Sequence, residues 1–232
     1  WGLLSRLHAN APAADDATLL ERIKPIASTN GFAFAGICPV LSQCNHDCDA
    51  NAYFEFDEER NVEVFFSIRD IAAGEEITVS YLAGRSFLTT AQRKLSLLVS
   101  KSFVCRCALC SLPAQEAAIR DAKLTRISTL HDDFPTILET DTQRAYLMAC
   151  EQYELMKGLG ATLPDFLFCN LAGEIMTMMT KYMRPEGLLD DAQVSFWCET
   201  YLESCKSTHV TPKLRKEMME ARILLTQTQR SK

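Results

Sequence analysis

Three closely spaced cysteines near the middle of the chain constrain its fold more than any other feature. Cys105, Cys107 and Cys110 have the spacing C-x-C-x2-C, which allows their thiols to converge on one ion. A structural zinc requires four ligands in a tetrahedron, so the fourth must come from elsewhere in the chain. Cys48 in the segment NHDC is the best donor, and Cys44 is a competing one. We predict a zinc site that clamps this segment onto an earlier part of the chain. The alternative is a group of reduced structural or redox thiols.

Composition narrows the classes of protein to which this chain can belong. The chain has ten cysteines. Those outside this group are isolated, mostly in helical patterns, where free thiols pack as small apolar side chains. The formal net charge of −6 argues against extensive binding to a phosphate backbone, which needs dense Lys and Arg patches. A basic peptide or protein partner suits this charge better. Since no apolar run approaches the roughly 18 residues of a membrane helix, we expect a soluble intracellular protein of the nucleus or cytoplasm that binds no membrane.

The hydrophobic pattern changes character near Pro113. Before it, the spacing predicts an amphipathic helix over 15–28 and a helix from Thr89 or Thr90 to about Lys101. Between these helices the pattern predicts strands over 51–56, 62–68 and 76–80, of which the first two form a hairpin. Beyond Pro113 the strand pattern ends, and helices are predicted over 114–130, 141–158, 164–183, 189–207 and 211–229.

Three segments occur in an order that is typical of a known family. They are NHDC at 45–48, GEEITVSY at 74–81 and FVCRCALC at 103–110. Together they resemble the SET domain and its cysteine-rich post-SET segment, and the short C-x-C-x2-C form followed by helices is most similar to the SET and MYND branch and its fungal relatives. Asn30, Gly31 and Phe32 resemble the Asn-x-Phe element of that branch.

The resemblance implies an S-adenosylmethionine site and a methyl-transfer channel. It assigns cofactor binding to Asn45, His46 and the upstream Asn30, with Phe103 as an aromatic that packs on the adenine. Tyr81 resembles the tyrosine of the methyl-transfer channel, where it would also border the cofactor, and Phe32 would form a second aromatic wall. One structural zinc would be held by four cysteines, which are Cys48, Cys105, Cys107 and Cys110. The carboxylates of the Gly-Glu-Glu turn, Glu75 and Glu76, are interpreted as structural.

The expected fold class is α+β. Small SET-type β-sheets with short helices and a zinc-bound post-SET segment would be followed by an all-α domain of helical hairpins, similar to tetratricopeptide (TPR) repeats. We expect the C-terminal portion of a SET domain at 1–100, the zinc segment at 101–113 and the helical domain at 114–232. The chain contains no Gly-x-Gly strand in the position expected for a complete SET domain, and no MYND finger.

Two functions of different classes are consistent with these observations. The first is an S-adenosylmethionine-dependent protein-lysine N-methyltransferase acting on a histone tail or another basic segment. The second is a catalytically inactive, truncated SET relic that serves as a zinc-stabilised protein-interaction module. A zinc-binding structural protein is a third reading, in which Asn45 and Tyr81 would carry no chemistry.

Overall fold

The fold is seen in a computed structural model that describes most of the chain beyond residue 30. The described residues are 21, 31–32, 36–38, 40–57, 60–82, 87–160, 163, 165–183, 190–207 and 212–230. Of the helix predicted over 15–28, only Glu21 is described, and it is helical.

The strands of the described part form three separate two-stranded pairs. The pairs β1–β2 and β4–β5 are antiparallel, whereas β3 runs parallel to β6. The pair β4–β5 is the hairpin expected from the sequence, and its register runs from Ala52 opposite Ser67 to Asp57 opposite Val62. The strands are β1 (Gly31–Phe32), β2 (Gly36–Ile37), β3 (Asn45–His46), β4 (Ala52–Asp57), β5 (Val62–Ser67) and β6 (Thr78–Val79).

Helices account for the described part of the chain beyond the cysteine segment. Each longer helix packs on the next one along the sequence. A helical turn at Met179–Met183 continues α4, and a short turn at Cys205–Ser207 continues α5. The helices are α1 (Thr90–Lys101), α2 (Ala114–Thr140), α3 (Thr142–Lys157), α4 (Asp165–Met178), α5 (Asp191–Ser204) and α6 (Pro212–Arg230). The mixed architecture expected from the sequence, small sheets followed by a helical region, is confirmed.

Helix α1 begins and ends where local chemistry dictates. Thr89 forms a capping box with Gln92, in which each side chain satisfies a backbone amide of the other. The helix ends at Ser102, which adopts a left-handed conformation with φ of 60°. Both ends agree with the sequence prediction. The beginning of the helix can be recognised in the sequence because a capping box needs only four residues.

Helix α2 is longer than the sequence predicts. It passes through Pro135 and ends at Thr140, although a proline inside a helix removes one backbone hydrogen bond. The half-buried side chains of Phe134, Ile137 and Leu138 pack against the helical core on either side of the proline. Burial of these side chains offsets the lost hydrogen bond, and this tertiary contribution is invisible to local propensity.

The largest hydrophobic core lies among α2 to α6. Trp197 is 3% exposed at its centre, and its indole Nε1 donates a hydrogen bond of 3.0 Å to the hydroxyl of Tyr146. The ring of Tyr153 meets Trp197 edge-on at 5.1 Å between centroids, a favoured geometry for aromatic pairs. Two smaller clusters lie under the sheets, around Leu97 and around Val79. Among the described residues, no helix combines the length and the apolar character needed to cross a membrane.

Replacement of Trp197 and of its neighbour Phe196 should show how much more a buried aromatic side chain contributes to the free energy of unfolding than an exposed one does. Trp197→Ala is expected to lower the free energy of unfolding by about 3–5 kcal/mol, because it opens a cavity and leaves the Tyr146 hydroxyl without its donor. The adjacent Phe196 is 50% exposed, so Phe196→Ala should cost about 1.5 kcal/mol or less. Urea unfolding followed by circular dichroism measures both values. Equal losses in the two variants would contradict this account of the core.

Candidate functional site

Four thiols, one from the end of β3 and three from the cysteine segment, converge at one place in the structure. The Sγ atoms of Cys48, Cys105, Cys107 and Cys110 all lie within 4.8 Å of one another. Cys48 is 3.9 Å from Cys105 and 3.6 Å from Cys110, sulfur to sulfur. A zinc ion with bonds of about 2.3 Å to four thiolates requires sulfur–sulfur edges of about 3.8 Å. The cluster can therefore hold a zinc ion after adjustments of about 1 Å or less in the sulfur–sulfur distances.

Local turns bring the last three thiols together. The amide of Cys110 donates to the carbonyl of Cys107 at 3.1 Å, within the short turn Leu109–Ser111. The amide of Cys107 in turn lies 3.5 Å from the Cys105 sulfur, and amide donors of this kind favour a thiolate. Cys48 arrives from the end of β3, and the hydrogen bond from its thiol lowers the pKa of Cys107 to about 3. A thiolate in this group needs no further base to accept a metal ion.

A buried arginine lies against the cluster. Arg93 is 6% exposed, and its Nη2 is 3.8 Å from the Cys110 sulfur. Its Nη1 donates to the carbonyl of Leu88 at 2.8 Å, which fixes the guanidinium in place. Zinc with four thiolates carries a net charge of −2, so a guanidinium beside it compensates part of that charge. Arg93 was missed from the sequence, because nothing in one arginine of a predicted helix marks it as buried against the thiols.

The competing ligand Cys44 lies outside the cluster. It packs with Leu41 and Val79 in the neighbouring core, and its carbonyl oxygen accepts a hydrogen bond from the Tyr81 hydroxyl at 2.6 Å. Of the two candidates for the fourth thiol, the structure therefore places Cys48 in the group and leaves Cys44 as a packing residue.

Metal content of two single variants tests this assignment. Cys48→Ser should lose most of its zinc, because a tetrahedral site with three thiolates binds far more weakly. Cys44→Ser, the matched control, should retain about one zinc per chain, as in the wild type. Elemental analysis of desalted protein gives both values. Loss of zinc in Cys44→Ser with retention in Cys48→Ser would reverse the assignment.

His46 connects the thiol cluster to Tyr81. Strands β3 and β6 pair in parallel with His46 opposite Val79, and the amide of Tyr81 donates to His46 Nδ1 at 3.0 Å. Because Nδ1 accepts, the neutral ring carries its proton on Nε2, and Nε2 lies 3.3 Å from the Cys48 sulfur. Burial lowers the pKa of His46, which favours this neutral form. The imidazole is thus an N–H donor to the Cys48 sulfur and an acceptor for the Tyr81 backbone.

The rings of His46, Tyr81 and Phe103 lie close together beside the contact of His46 with Cys48. The centroid of His46 is 5.3 Å from that of Tyr81 and 6.0 Å from that of Phe103. Tyr81 and Phe103 meet edge-on at 6.4 Å. Burial raises the pKa of the Tyr81 phenol, so the hydroxyl stays protonated near neutral pH. Since its proton points to the Cys44 carbonyl, its oxygen lone pairs remain available to accept a hydrogen bond.

The structure brings together most, but not all, of the residues that the sequence selected. His46, Tyr81 and Phe103 lie in one ring cluster, and Asn45 precedes His46 on β3 with its amide nitrogen 2.6 Å from Glu76 Oε1. Asn30 lies outside the described residues. The backbone of Phe32 belongs to β1, but its side chain lies outside the described part.

Comparison with known proteins agrees with the position of this site. Residues 17–82 match the family model described as SET domain. The SET domain-containing protein SmydA-8, isoform B, of Drosophila melanogaster is 33% identical over 88 residues, which is 38% of this chain and 19% of that protein. Histone-lysine N-methyltransferase SMYD3 of Mus musculus is 32% identical over 82 residues, 35% of this chain and 18% of its own length. The chain spans about a fifth of the length of these relatives.

Fungal relatives show a similar degree of likeness. Histone-lysine N-methyltransferase SET5 of Meyerozyma guilliermondii is 31% identical over 109 residues, 45% of this chain and 22% of that protein. Asn45, His46, Cys48 and Tyr81 fall within the SET match at 17–82, whereas Phe103 and the other three clustered cysteines lie beyond it. The family match therefore covers the ring cluster except Phe103, and the geometry of the structure brings Phe103, Cys105, Cys107 and Cys110 to it.

A buried asparagine organises the Gly-Glu-Glu turn of the SET segment. Asn51 is 1% exposed, its Oδ1 accepts from the amide of Thr78 at 2.9 Å, and its Nδ2 donates to Glu75 Oε1 at 3.0 Å. Glu75 also forms an ion pair of 2.7 Å with Arg69. The interpretation of Glu75 and Glu76 as structural residues agrees with these contacts. Asn51 itself was missed, because one asparagine after a turn resembles any other loop residue.

The acid stability of the turn should depend on Glu75. Its ion pair with Arg69 and its hydrogen bonds lower the pKa of Glu75 to about 2. Its contribution to stability is therefore complete above about pH 4.5, the pKa of an unfolded glutamate, and is lost as the pH falls through about 2. Wild type should be more stable than Glu75→Gln at pH 7, and the difference should shrink below pH 4.5. Urea midpoints of both proteins across this range test it; a difference independent of pH would contradict it.

Proposed function

We propose that this chain is part of an S-adenosylmethionine-dependent protein-lysine N-methyltransferase that acts on a basic segment such as a histone tail. The observation that carries the proposal is the contact of His46 with both Tyr81 and the thiol cluster, inside a SET match. Several relatives are named histone-lysine N-methyltransferases, in animals, plants and fungi, and their names support this class of substrate. The acidic charge of −6 is consistent with a basic partner.

The residues present fit a cofactor site beside the ring cluster. Asn45 is exposed at the start of β3; one N–H of its side-chain amide donates to Glu76, and the second N–H and the amide oxygen offer the directed donor and acceptor that an amino-acid moiety needs. His46 and the upstream Asn30 complete this polar set in our proposal, while the half-buried ring of Phe103 offers a face for the adenine. When bound, S-adenosylmethionine supplies a methyl group already activated on a sulfonium centre.

Tyr81 is the residue we propose to position the lysine amine. Its hydroxyl donates to the Cys44 carbonyl at 2.6 Å, so the oxygen can accept an N–H of the substrate and aim the nitrogen lone pair away from itself. Lysine has a reference pKa of about 10.4 and must lose a proton before it attacks. A channel walled by Tyr81 and Phe32 would favour the neutral amine, because desolvation disfavours charge.

The zinc cluster would stabilise this site without taking part in methyl transfer. We propose one structural zinc on Cys48, Cys105, Cys107 and Cys110, which would fix the tail that carries Phe103 beside β3. The three units expected from the sequence, at 1–100, 101–113 and 114–232, follow the same division, with the last one a TPR-like domain of helical hairpins. A nuclear or cytoplasmic location is part of the proposal, since histone substrates are found there.

Removal of one hydroxyl tests the role of Tyr81. In Tyr81→Phe, transfer of labelled methyl groups to histone-tail peptides should fall about 10- to 100-fold, because the amine loses its orienting acceptor. Binding of S-adenosylmethionine, measured by calorimetry, should change by less than about threefold, since the lost group mainly serves the transition state. The control Tyr182→Phe removes the same atom from an exposed ring of the helical region and should leave transfer unchanged.

The same measurements separate the two functions left open by the sequence. Zinc-loaded wild-type protein that binds no S-adenosylmethionine and transfers no methyl group would overturn the methyltransferase proposal. The chain would then act as an inactive SET relic, a zinc-stabilised interaction module. Binding without any effect of Tyr81→Phe on transfer would keep the enzyme and remove Tyr81 from its chemistry.

A further inference from the structure

Two cysteines of the helical region lie in contact outside the four-thiol cluster. The Sγ atoms of Cys169 and Cys205 are 3.0 Å apart, closer than any pair of thiols measured in the cluster. Both residues are buried, at 3% and 1% exposed. A disulfide bond has a length of about 2.05 Å, so the two sulfurs need to approach by only about 1 Å to become bonded. No role in the proposed methyl transfer uses either thiol.

The packing of α4 against α5 fixes this contact. Cys169 and Gly173 are four residues apart on α4, and Tyr201 and Cys205 are four residues apart along α5 and its last turn, so each pair shares one helix face. A side-chain carbon at Gly173 would lie 3.2 Å from the Tyr201 ring. The absence of a side chain at Gly173 therefore allows the helices to approach closely, and the same approach presses the two thiols together.

The two thiols differ in chemical character. The hydrogen bond from the Cys169 thiol lowers the pKa of Cys205, and the same interaction raises the pKa of Cys169. This interaction keeps the proton preferentially on Cys169 and makes Cys205 the more acidic thiol of the pair. Tyr201 lies four residues before it and donates its hydroxyl proton to Glu217 Oε2 at 3.0 Å.

Small molecules can approach the pair from the side of Cys169. Cys169 lines a groove of about 860 Å³ between α4 and α6, together with Asn170 and Glu217, and its sulfur is 3.0 Å from that of Cys205. The groove is large compared with a hydroperoxide. Because both sulfurs are deeply buried, a small oxidant reaches them more readily than the thiol of another protein does.

We propose that Cys169 and Cys205 form an oxidative modification site at which hydrogen peroxide creates a disulfide between α4 and α5. The Cys205 thiolate attacks one peroxide oxygen, the O–O bond breaks, and a sulfenic acid and a hydroxide form; the hydroxide takes up one proton, equal to the one released when Cys205 ionised, and becomes water. The Cys169 sulfur then attacks the Cys205 sulfur, the S–S bond forms, and the S–O bond breaks. The departing hydroxide takes the proton of Cys169 and leaves as a second water. Two thiols are oxidised and one peroxide is reduced.

The disulfide would cross-link two helices of the helical region. The cross-link ties the first half of α4 to the end of α5 and closes a loop of the chain between them. A cross-link of this kind stabilises mainly by restricting the unfolded chain. Because intracellular disulfides of this type are generally transient and respond to redox conditions, reduction by a dithiol should restore the free pair.

Peroxide treatment of the full zinc-loaded chain tests the proposal. After a small molar excess of hydrogen peroxide, alkylation and digestion, mass spectrometry should detect a cross-linked peptide pair that contains residues 169 and 205. Oxidation should also raise the melting temperature by about 5–10 °C. Cys169→Ser should show neither effect. The control Cys198→Ser, which removes a fully buried thiol of α5 outside the pair, should show both.

Two outcomes would overturn the proposal. One is over-oxidation of Cys205 to a sulfinic acid without any cross-linked peptide. The other is peroxide that releases zinc and oxidises the four-thiol cluster while Cys169 and Cys205 remain alkylatable after denaturation. Zinc release is followed in the same samples with a chromogenic chelator. Cys205→Ser provides a second variant in case Cys169→Ser does not fold, and it should likewise abolish the cross-link and the thermal shift.

Discussion

The convergence of four thiols is the interaction on which the candidate site depends. Cys48 and Cys105 are separated by 57 positions in the chain, and their contact ties the cysteine segment to the end of β3. Among the described residues, the core around these thiols contains only Leu82 and Leu97 as buried aliphatic side chains. So small an apolar cluster contributes little hydrophobic stabilisation. Metal coordination would supply the remaining free energy, and it would do so at the point that holds Phe103 near His46.

Two buried polar side chains, Asn51 before β4 and Arg93 on α1, lie beside the candidate site. Asn51 and Arg93 are almost completely buried, and each makes several hydrogen bonds to backbone carbonyls, amides or side chains. A buried polar group without partners is costly, so such residues persist where they specify a unique geometry. Asn51 fixes the turn that leads into β6, and Arg93 faces the thiols. Both support the strand and the segment from which the site residues project.

The helical region is held together by a different balance of forces. Its core consists of closely packed aromatic and aliphatic side chains around Trp197, and burial of apolar surface is sufficient to stabilise five packed helices. Its free thiols lie within this core as small apolar groups, except that Gly173 permits a close approach that brings two of them into contact. The two cysteine groups of the chain thus arise from different causes: a local C-x-C-x2-C motif in one, and helix packing in the other.

The amino-acid sequence by itself determined the local features of this protein. The capping box of α1, the β4–β5 hairpin, the succession of helices and the three clustered thiols all follow from residues close together in the chain, where spacing and side-chain chemistry fix the geometry. Tertiary structure alone decided between Cys44 and Cys48, carried α2 through Pro135, buried Asn51 and Arg93, and placed Cys169 against Cys205. Each of these depends on contacts between segments far apart in sequence, and the free energy of such contacts is set by three-dimensional packing rather than by any local pattern.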